Sequence, residues 1–394
     1  MSEKEIDLKP YGINHIFKST QSDFHWMDKE FCARGKYDKD GGIFSINGRV
    51  YVVQETLGEG TYGAAYKVAE VAGGKYAIKR IKDKLSSTHD IQIFMKEVLI
   101  QILLWEESKG QEDGPYVPKV ISIGYDPVHK EGFVVCELMH NTVYNLCKAL
   151  KPEENDIMIP HILDHVANIL RFFGEKLQFN HRDLKPDNIM YSKTADNKRV
   201  FKLIDFGFSC LTWHGIKLTG GNFFSAARLC YKEERDLVQL CYYIHRYIST
   251  ISIDLKKWFV NMLQIEYKGN KCTLGDGCLI HGRKSLNGWG DSYNFIDREN
   301  VKPLYTSPAT LMRKVHYYKS TRKFNSPISI KEPATCAPGK ELGKKGKCVV
   351  APSDSVPLLV GPCPPGKILN PKTGRCVKEG GRVAKQVTRK SKSR

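Results

Sequence analysis

The chain has 394 residues, 41% of them hydrophobic, with 61 Lys and Arg against 43 Asp and Glu for a net charge of +18. That apolar content can build a core and excludes a wholly disordered chain, while no run reaches the roughly 18–20 apolar residues that a membrane span needs. Met1–Pro10 lacks the apolar centre of a secretory signal, so a soluble, intracellular protein is expected.

In chain order, residues 1–42 carry many charges and little periodicity and read as an N-terminal extension. From Ile43 the pattern becomes strand-like. Phe44–Ile46 and Val50–Val53 flank Asn47-Gly48, a two-residue hairpin signal, and Ala65–Val71 and Lys75–Ile81 flank the turn Ala72-Gly73-Gly74. A helix is expected from about Ile91 to Trp105, then strands over 119–123 and 132–138. Helical spacing places Ile162, Val166, Ile169, Leu170, Phe173 and Leu177 on one face over 161–179, and Leu237, Leu240, Cys241, Ile244 and Ile248 over 235–248. Asn188–Tyr191 and Arg199–Ile204 form a short strand pair between them. Gly and Asn dominate 268–294, where no regular element is expected, and no late helix is recognisable after residue 265. Eight cysteines are scattered (Cys32, Cys136, Cys147, Cys210, Cys230, Cys241, Cys272, Cys278), and several lie in apolar runs and read as buried thiols.

Three motifs carry chemistry. Gly58-Glu59-Gly60-Thr61-Tyr62-Gly63 lies in a turn between two strands, where glycines let backbone amides approach a triphosphate; alone it is equally a tight hairpin turn. A strand rather than a helix follows it, which excludes a dinucleotide-binding βαβ unit. Lys79, late in Tyr76-Ala77-Ile78-Lys79, can pair with phosphate oxygens, and Glu97 on the next helix is the carboxylate to hold it. His181-Arg182-Asp183-Leu184-Lys185-Pro186-Asp187-Asn188 is followed seventeen residues later by Asp205-Phe206-Gly207 at the end of an apolar strand. A carboxylate to orient and deprotonate an attacking hydroxyl suits Asp183. Hard oxygen ligands for magnesium suit Asn188 and Asp205, and a second cation beside the transferred group suits Lys185.

With these motifs in this order, the chain resembles the eukaryotic-type protein kinase family over about residues 48–265. The resemblance implies an α+β bilobal fold with a strand-rich N-lobe (43–137) and a helical C-lobe (138–318). It implies ATP and Mg2+ as cofactors. Gly58, Gly60, Gly63, Lys79 and a hinge over Cys136–Met139, with Glu137 and Met139, would meet the nucleotide. Ala65, Ala77 and Met190 would sandwich the adenine, a role compatible with plain packing. Lys185 resembles the Ser/Thr branch. Asp236 resembles the buried aspartate that anchors the catalytic loop, and His181 and Phe206 would join the hydrophobic column between the lobes.

The chain also departs from the family. The Ala-Pro-Glu motif expected between Asp205 and Asp236 is absent, with only Glu233 or Glu234 as substitutes, so the peptide groove is not specified by the motif. Ala65 stands where valine is usual. Gln101 sits where an apolar residue usually packs on Phe206, which predicts weaker coupling between the lobes. Arg182 commonly goes with a phosphorylated activation segment, for which Thr212, Thr219 and Ser225 are candidates, or simply loop hydroxyls.

Past a Pro-, Gly- and Lys-rich linker (319–335) the tail dominates the charge. Residues 319–394 hold 18 basic side chains against Glu332, Glu341, Asp354 and Glu379, which is +14 and leaves +4 for the first 318 residues. Residues 336–377 hold two repeats, each starting Cys-x-Pro-Gly-Lys (Cys336, Cys363) and ending basic-Cys-Val (Cys348, Cys376). Units this short need a cross-link or a metal. One disulfide per repeat and a shared four-cysteine zinc site both remain open, the latter without a Cys-x-x-Cys knuckle or a histidine. The repeats resemble the two-cysteine adaptor domain of large nucleocytoplasmic DNA viruses. That resemblance implies a viral protein docked on a viral or host partner, in the host cytoplasm at a viral factory or in the virion. The basic tail 378–394, from Arg382 to Arg394, could touch nucleic acid or an acidic partner, or remain solvated. The expected activity is phosphoryl transfer to Ser/Thr of protein substrates. The alternatives are a kinase-fold small-molecule or lipid phosphotransferase, and a virion scaffold with vestigial activity.

Overall fold

The computed structural model describes residues 3–321 except 22–23, 25, 29–31, 61–62, 83–84, 195–197, 221–229, 268, 275–278, 281–282, 285–295 and 297–300. Beyond these it describes the strand backbones 340–342, 348–350, 367–370 and 375–378. The chain divides into two units, residues 1–330 and 331–394.

β1 (Glu5–Asp7) and β2 (Ile16–Lys18) pair antiparallel around a single 3-10 turn that closes on Gly12 at φ +85. β3 (Gly35–Asp38), β4 (Ile43–Ile46), β5 (Arg49–Gly60), β6 (Gly63–Glu70) and β7 (Lys75–Ile81) follow as an antiparallel meander. Asn47 (φ +49) and Gly48 (φ +74) supply the two left-handed residues the β4–β5 hairpin needs. Helix α1 (Thr88–Ser108) starts at a capping box in which Ser87 and Asp90 each bond the other's backbone N–H. β8 (Val120–Asp126) and β9 (Glu131–Glu137) complete a seven-stranded sheet in the order β3-β4-β5-β6-β7-β9-β8. Alternation along the strands splits the sheet into two faces. Phe44, Ile46, Tyr51, Tyr66, Val68, Ile78, Phe133 and Val135 form a closed core on one face. Ala65, Ala77 and Lys79 lie on the opposite face, where β6 pairs β7 and β7 pairs β9 (Ala65 opposite Lys79, Ala77 opposite Cys136).

Residues 1–42 are expected as an extension, but several of the described ones pack into the domain. Leu8, Tyr11, Ile13, Phe17, Trp26 and Met27 are each 8% exposed or less and join the main core. Their spacing follows neither a helix nor a strand period, because they descend from turns and short strands rather than from one regular element.

The C-lobe opens with β10 (Asn141–Thr142), α2 (Val143–Ala149) and α3 (Pro152–Leu177). α3 begins nine residues before its periodic stretch, with Pro152 in the first turn. β11 (Ile189–Lys193) pairs with β10 and with β12 (Arg199–Leu203), and β13 (Cys210–Trp213) pairs with β14 (Ile216–Thr219). α4 (Arg235–Tyr247) and α5 (Ile253–Met262) follow. β15 (Gln264–Tyr267) leads into the Gly- and Asn-rich stretch, which holds β16 (Asn270–Thr273) and the small pair β17 (Leu279–Ile280) and β18 (Arg283–Lys284), and β19 (Val301–Pro303) after it returns to β15. A late helix exists, contrary to the sequence reading: α6 (Pro308–Thr321) buries Leu311, Val315 and Tyr318 at i, i+4 and i+7 beside α3, with Lys319 paired to Asp164.

In the second unit, β20 (Lys340–Leu342) pairs β21 (Cys348–Val350), and β22 (Lys367–Asn370) pairs β23 (Arg375–Lys378). The registers match: Leu342 opposes Cys348 as Leu369 opposes Cys376. The pairing of the tail cysteines lies outside the described residues. No helix among the described residues is long and apolar enough to cross a membrane.

Candidate functional site

Lys79 reaches the end of its chemistry through two neighbours. Its Nζ donates to Glu97 Oε1 at 2.7 Å from β7 to α1, and stands 3.6 Å from Asp205 Oδ1 beyond β12. Burial by itself would lower this amine, but the Glu97 and Asp205 carboxylates outweigh it and hold it above its ordinary value. It is therefore a cation throughout the neutral range, 44% exposed on the cleft side.

The second cluster is built on the loop between α3 and β11. Lys185 Nζ donates to Asp183 Oδ2 at 2.7 Å. Asn188 Nδ2 donates to the Asp183 carbonyl at 2.8 Å and to Oδ2 at 3.1 Å, which leaves its amide oxygen as the atom suited to a hard cation. Asp205, at φ +68, presents a half-exposed carboxylate. Asn188 and Asp205 are tied by the Ile204 N–H to Asn188 carbonyl bond of 3.0 Å.

The loop is rigid because buried groups on α4 hold its backbone. Asp236, fully buried, accepts from the N–H groups of His181 (2.6 Å) and Arg182 (2.9 Å) and from Asn180 Nδ2 (3.1 Å). Gln239 Oε1 accepts from Leu184 N–H at 3.2 Å and from Arg235 Nη1 at 2.6 Å. Sequence reading singled out Asp236 but not Arg235 and Gln239; only their places directly before and one turn after a motif aspartate could have drawn attention to them. His181 points away from the chemistry: its Nε2 meets the Ile204 carbonyl at 2.8 Å, and its ring sits 5.4 Å from Phe206. Arg182 is 1% exposed, so its guanidinium lies inside the lobe rather than facing a phosphate on the surface. Ser225 lies outside the described residues.

The glycines divide. A Cβ on Gly63 (φ +156) would fall 1.9 Å from the Arg80 carbonyl, so the fold itself requires glycine there. A Cβ on Gly58 would meet nothing within 4 Å, leaving that backbone open for a ligand to approach. Gly60 ends β5 opposite Gly63. Met139 is buried at the end of the β9 connection, and Met190 on β11 opposes Thr142 and Lys202. Glu137, expected in the hinge, ends β9. Its carboxylate takes Lys202 Nζ at 2.7 Å on both oxygens, with Lys202 itself buried, so only backbone remains to meet a nucleotide. Gln101 also differs from expectation: its amide bonds the Pro118 carbonyl at 2.8 Å and reaches Cys136 Sγ at 3.7 Å, fastening α1 to the hinge strands. Burial, against the pull of Gln101 and Lys79, pushes the Cys136 thiol up to about 12.

The segment after Asp205 is anchored without an Ala-Pro-Glu motif. Cys210 exchanges two backbone bonds with Asn180 (2.8 and 2.9 Å) and is disulfide-bonded to Cys230, with Cα atoms 5.5 Å apart. Lys232 N–H donates to Asn180 Oδ1 at 2.6 Å, and its Nζ donates to the Ile296 and Val301 carbonyls. These cysteines are therefore not ordinary buried thiols, and Cys272 is disulfide-bonded too, whereas Cys32, Cys136, Cys147 and Cys241 are free.

Residues 51–228 match the protein kinase domain. The two-lobed architecture is the kinase fold. The chain is similar to mitogen-activated protein kinase 8 of Arabidopsis thaliana, at 30% identity over 176 residues, 42% of this chain and 26% of that protein. It is 27% identical to mitogen-activated protein kinase 9 of the same plant over 42% of this chain and 30% of that one. Mitogen-activated protein kinase 14 of Oryza sativa subsp. japonica is 29% identical over 41% and 28%. The chain thus spans less than a third of the length of these curated relatives.

Proposed function

We propose that this chain is an ATP- and magnesium-dependent protein kinase that phosphorylates Ser/Thr hydroxyls of protein substrates. One observation carries the reading: Lys79, Glu97 and Asp205 converge within 3.6 Å on one side of the cleft, while Asp183 holds Lys185 and Asn188 within 3.1 Å on the other. When bound, Mg·ATP supplies the transferable phosphoryl group. The Asn188 amide oxygen and the Asp205 carboxylate would hold the metal, a hard-oxygen set that suits Mg2+. Lys79, positioned by Glu97, offers its charge to phosphate oxygens, and the open backbone at Gly58 lets amides approach them. Asp183 orients the substrate hydroxyl and takes its proton, and Lys185 brings a cation to where negative charge develops. The loop lysine and the likeness to mitogen-activated protein kinases support Ser/Thr acceptors.

The tail reading goes with this proposal. Two hairpins of equal register, together with the adaptor-like sequence pattern, support a pair of docking modules on a protein of viral origin, working at a viral factory in the host cytoplasm or in the virion. The Arg382–Arg394 end would add a salt-sensitive contact with nucleic acid or an acidic partner.

The test is transfer of labelled γ-phosphate to protein substrates by the full chain and by Asp183→Asn. Label on serine or threonine that vanishes in the variant sustains the reading. ATP binding without transfer to protein overturns it in favour of a small-molecule or lipid acceptor, or of a scaffold.

A further inference from the structure

The residues expected to trail as an extension make the contacts that hold α1. Tyr11 Oη donates to Glu106 Oε1 at 2.7 Å, and Lys96 Nζ lies 5.2 Å over the Phe24 ring. Phe17, fully buried, stacks on Trp213 of β13 at 5.1 Å and 27°. The Trp213 indole N–H in turn donates to Glu107 Oε1 at 3.3 Å, and Glu107 also faces Lys176 and His214. This layer is pressed against the sheet as well: a Cβ on Gly12 would come within 2.8 Å of the Ile123 carbonyl.

Glu106 and Glu107 lie roughly three turns along the same helix from Glu97. A helix of this length moves as a body, so fixing its far end fixes where Glu97 meets Lys79. An outward swing of α1 would break the Tyr11 and Trp213 hydrogen bonds and unstack Phe17 at the same time as it parted Lys79 from Glu97. We infer that Tyr11, Phe17 and Phe24 of the N-terminal segment act within the chain as the positioning element for α1, with Phe17 and Trp213 as positioning residues that set the Lys79–Glu97 pair. The consequence is a kinase whose α1 is held in place by its own N-terminus and by β13. This inference rests on the kinase reading for its effect on turnover, but not for its effect on the helix.

The experiment compares the full chain with Phe17→Ala, Trp213→Phe and the conservative Phe17→Leu, first by hydrogen–deuterium exchange. Phe17→Ala is expected to raise exchange across 92–106 on the order of tenfold while α3 stays protected, and Phe17→Leu is expected to restore most of it. Unchanged exchange in α1 would overturn the inference, and so would uniform loss of protection in α1 and α3 alike. This arm needs no phosphoryl transfer, so it stands apart from any failure of the kinase reading. The second arm is a double-mutant cycle in kcat/KM between Phe17→Ala and Glu97→Gln. If Phe17 acts through Glu97, each single change costs about tenfold or more and the double variant is no worse than Glu97→Gln alone. Multiplying effects would mean that Phe17 merely supports the fold, and would sink the inference. Trp213→Phe, which keeps an aromatic ring but removes the indole N–H, is expected to fall between wild type and Phe17→Ala in both arms.

Discussion

The side of this cleft proposed to take ATP and the side proposed to take substrate are built by different rules. On the ATP side, Lys79, Glu97 and Asp205 are residue types of the family pattern and meet at hydrogen-bond or ion-pair distance, while Asn188 bonds Asp183 across the cleft. On the substrate side the usual motif is missing, and other chemistry takes its place: the Cys210–Cys230 bond, the double Asn180–Cys210 backbone link, Lys232 on Asn180, and Arg235 with Gln239 beneath the loop. The difference is physical. A triphosphate and a divalent cation leave little choice of ligand, because only certain side chains offer a hard oxygen or a fixed positive charge. Holding the end of a loop needs only some strong tether, and a disulfide or a buried hydrogen-bond group serves as well as an ion pair.

The comparison can be broken most severely at the group both sides share. Asp236→Ala removes the acceptor for two backbone N–H groups and for Asn180, and leaves Arg235 buried beside it; a loss of about 3–5 kcal/mol in stability is expected, read by chemical denaturation. Lys79→Met acts on the ATP side alone. It should lower kcat/KM by on the order of 10²–10³-fold with the thermal midpoint nearly unchanged, and an equal loss in stability would mean that the lysine is chiefly structural. Cys210→Ser, or reduction of the wild type, acts on the substrate side. Opening a loop of this size costs about 3 kcal/mol at most, and KM for protein substrate should rise several-fold while KM for ATP holds. A matching rise in both would erase the division drawn above.

The smallest effect lies away from the cleft. His165 packs beside Phe201 (ring centroids 5.5 Å apart), its Nε2 has no hydrogen-bond partner among the described residues, and burial lowers its affinity for a proton below that of an ordinary imidazole. The folded chain then binds fewer protons here than the unfolded chain, so this contribution to stability is present above about pH 6.5 and is lost as the pH falls through that value. His165→Phe should make the thermal midpoint flatter as the pH is lowered below about 6.5. An unaltered pH profile would show that His165 stays solvated.

Much of the site was legible in the sequence because its residues sit in short contiguous motifs whose spacing is set by one loop or one strand: Asp183, Lys185 and Asn188 within six residues, and Asp205 at the end of an apolar strand. The hairpins at Asn47-Gly48 and Gly73-Gly74 were legible for the same reason, since left-handed backbone angles favour those residues. The side chain of Glu137 was not, because its partner Lys202 is 65 residues away. Nor was the role of Gln101, whose partners come from two other strands.

The sequence by itself determined the hairpins around β4–β7, the helix faces of α3 and α4 and the residue types gathered in the cleft, since backbone propensity, turn residues and ligand type act over a few neighbouring positions. Only the tertiary structure decided that Leu8, Tyr11, Ile13, Phe17, Trp26 and Met27 belong to the core, that Cys210 meets Cys230, and that α6 closes the C-lobe against α3. Those are contacts between distant segments, chosen by which apolar and polar groups can be buried together, and no local pattern encodes them.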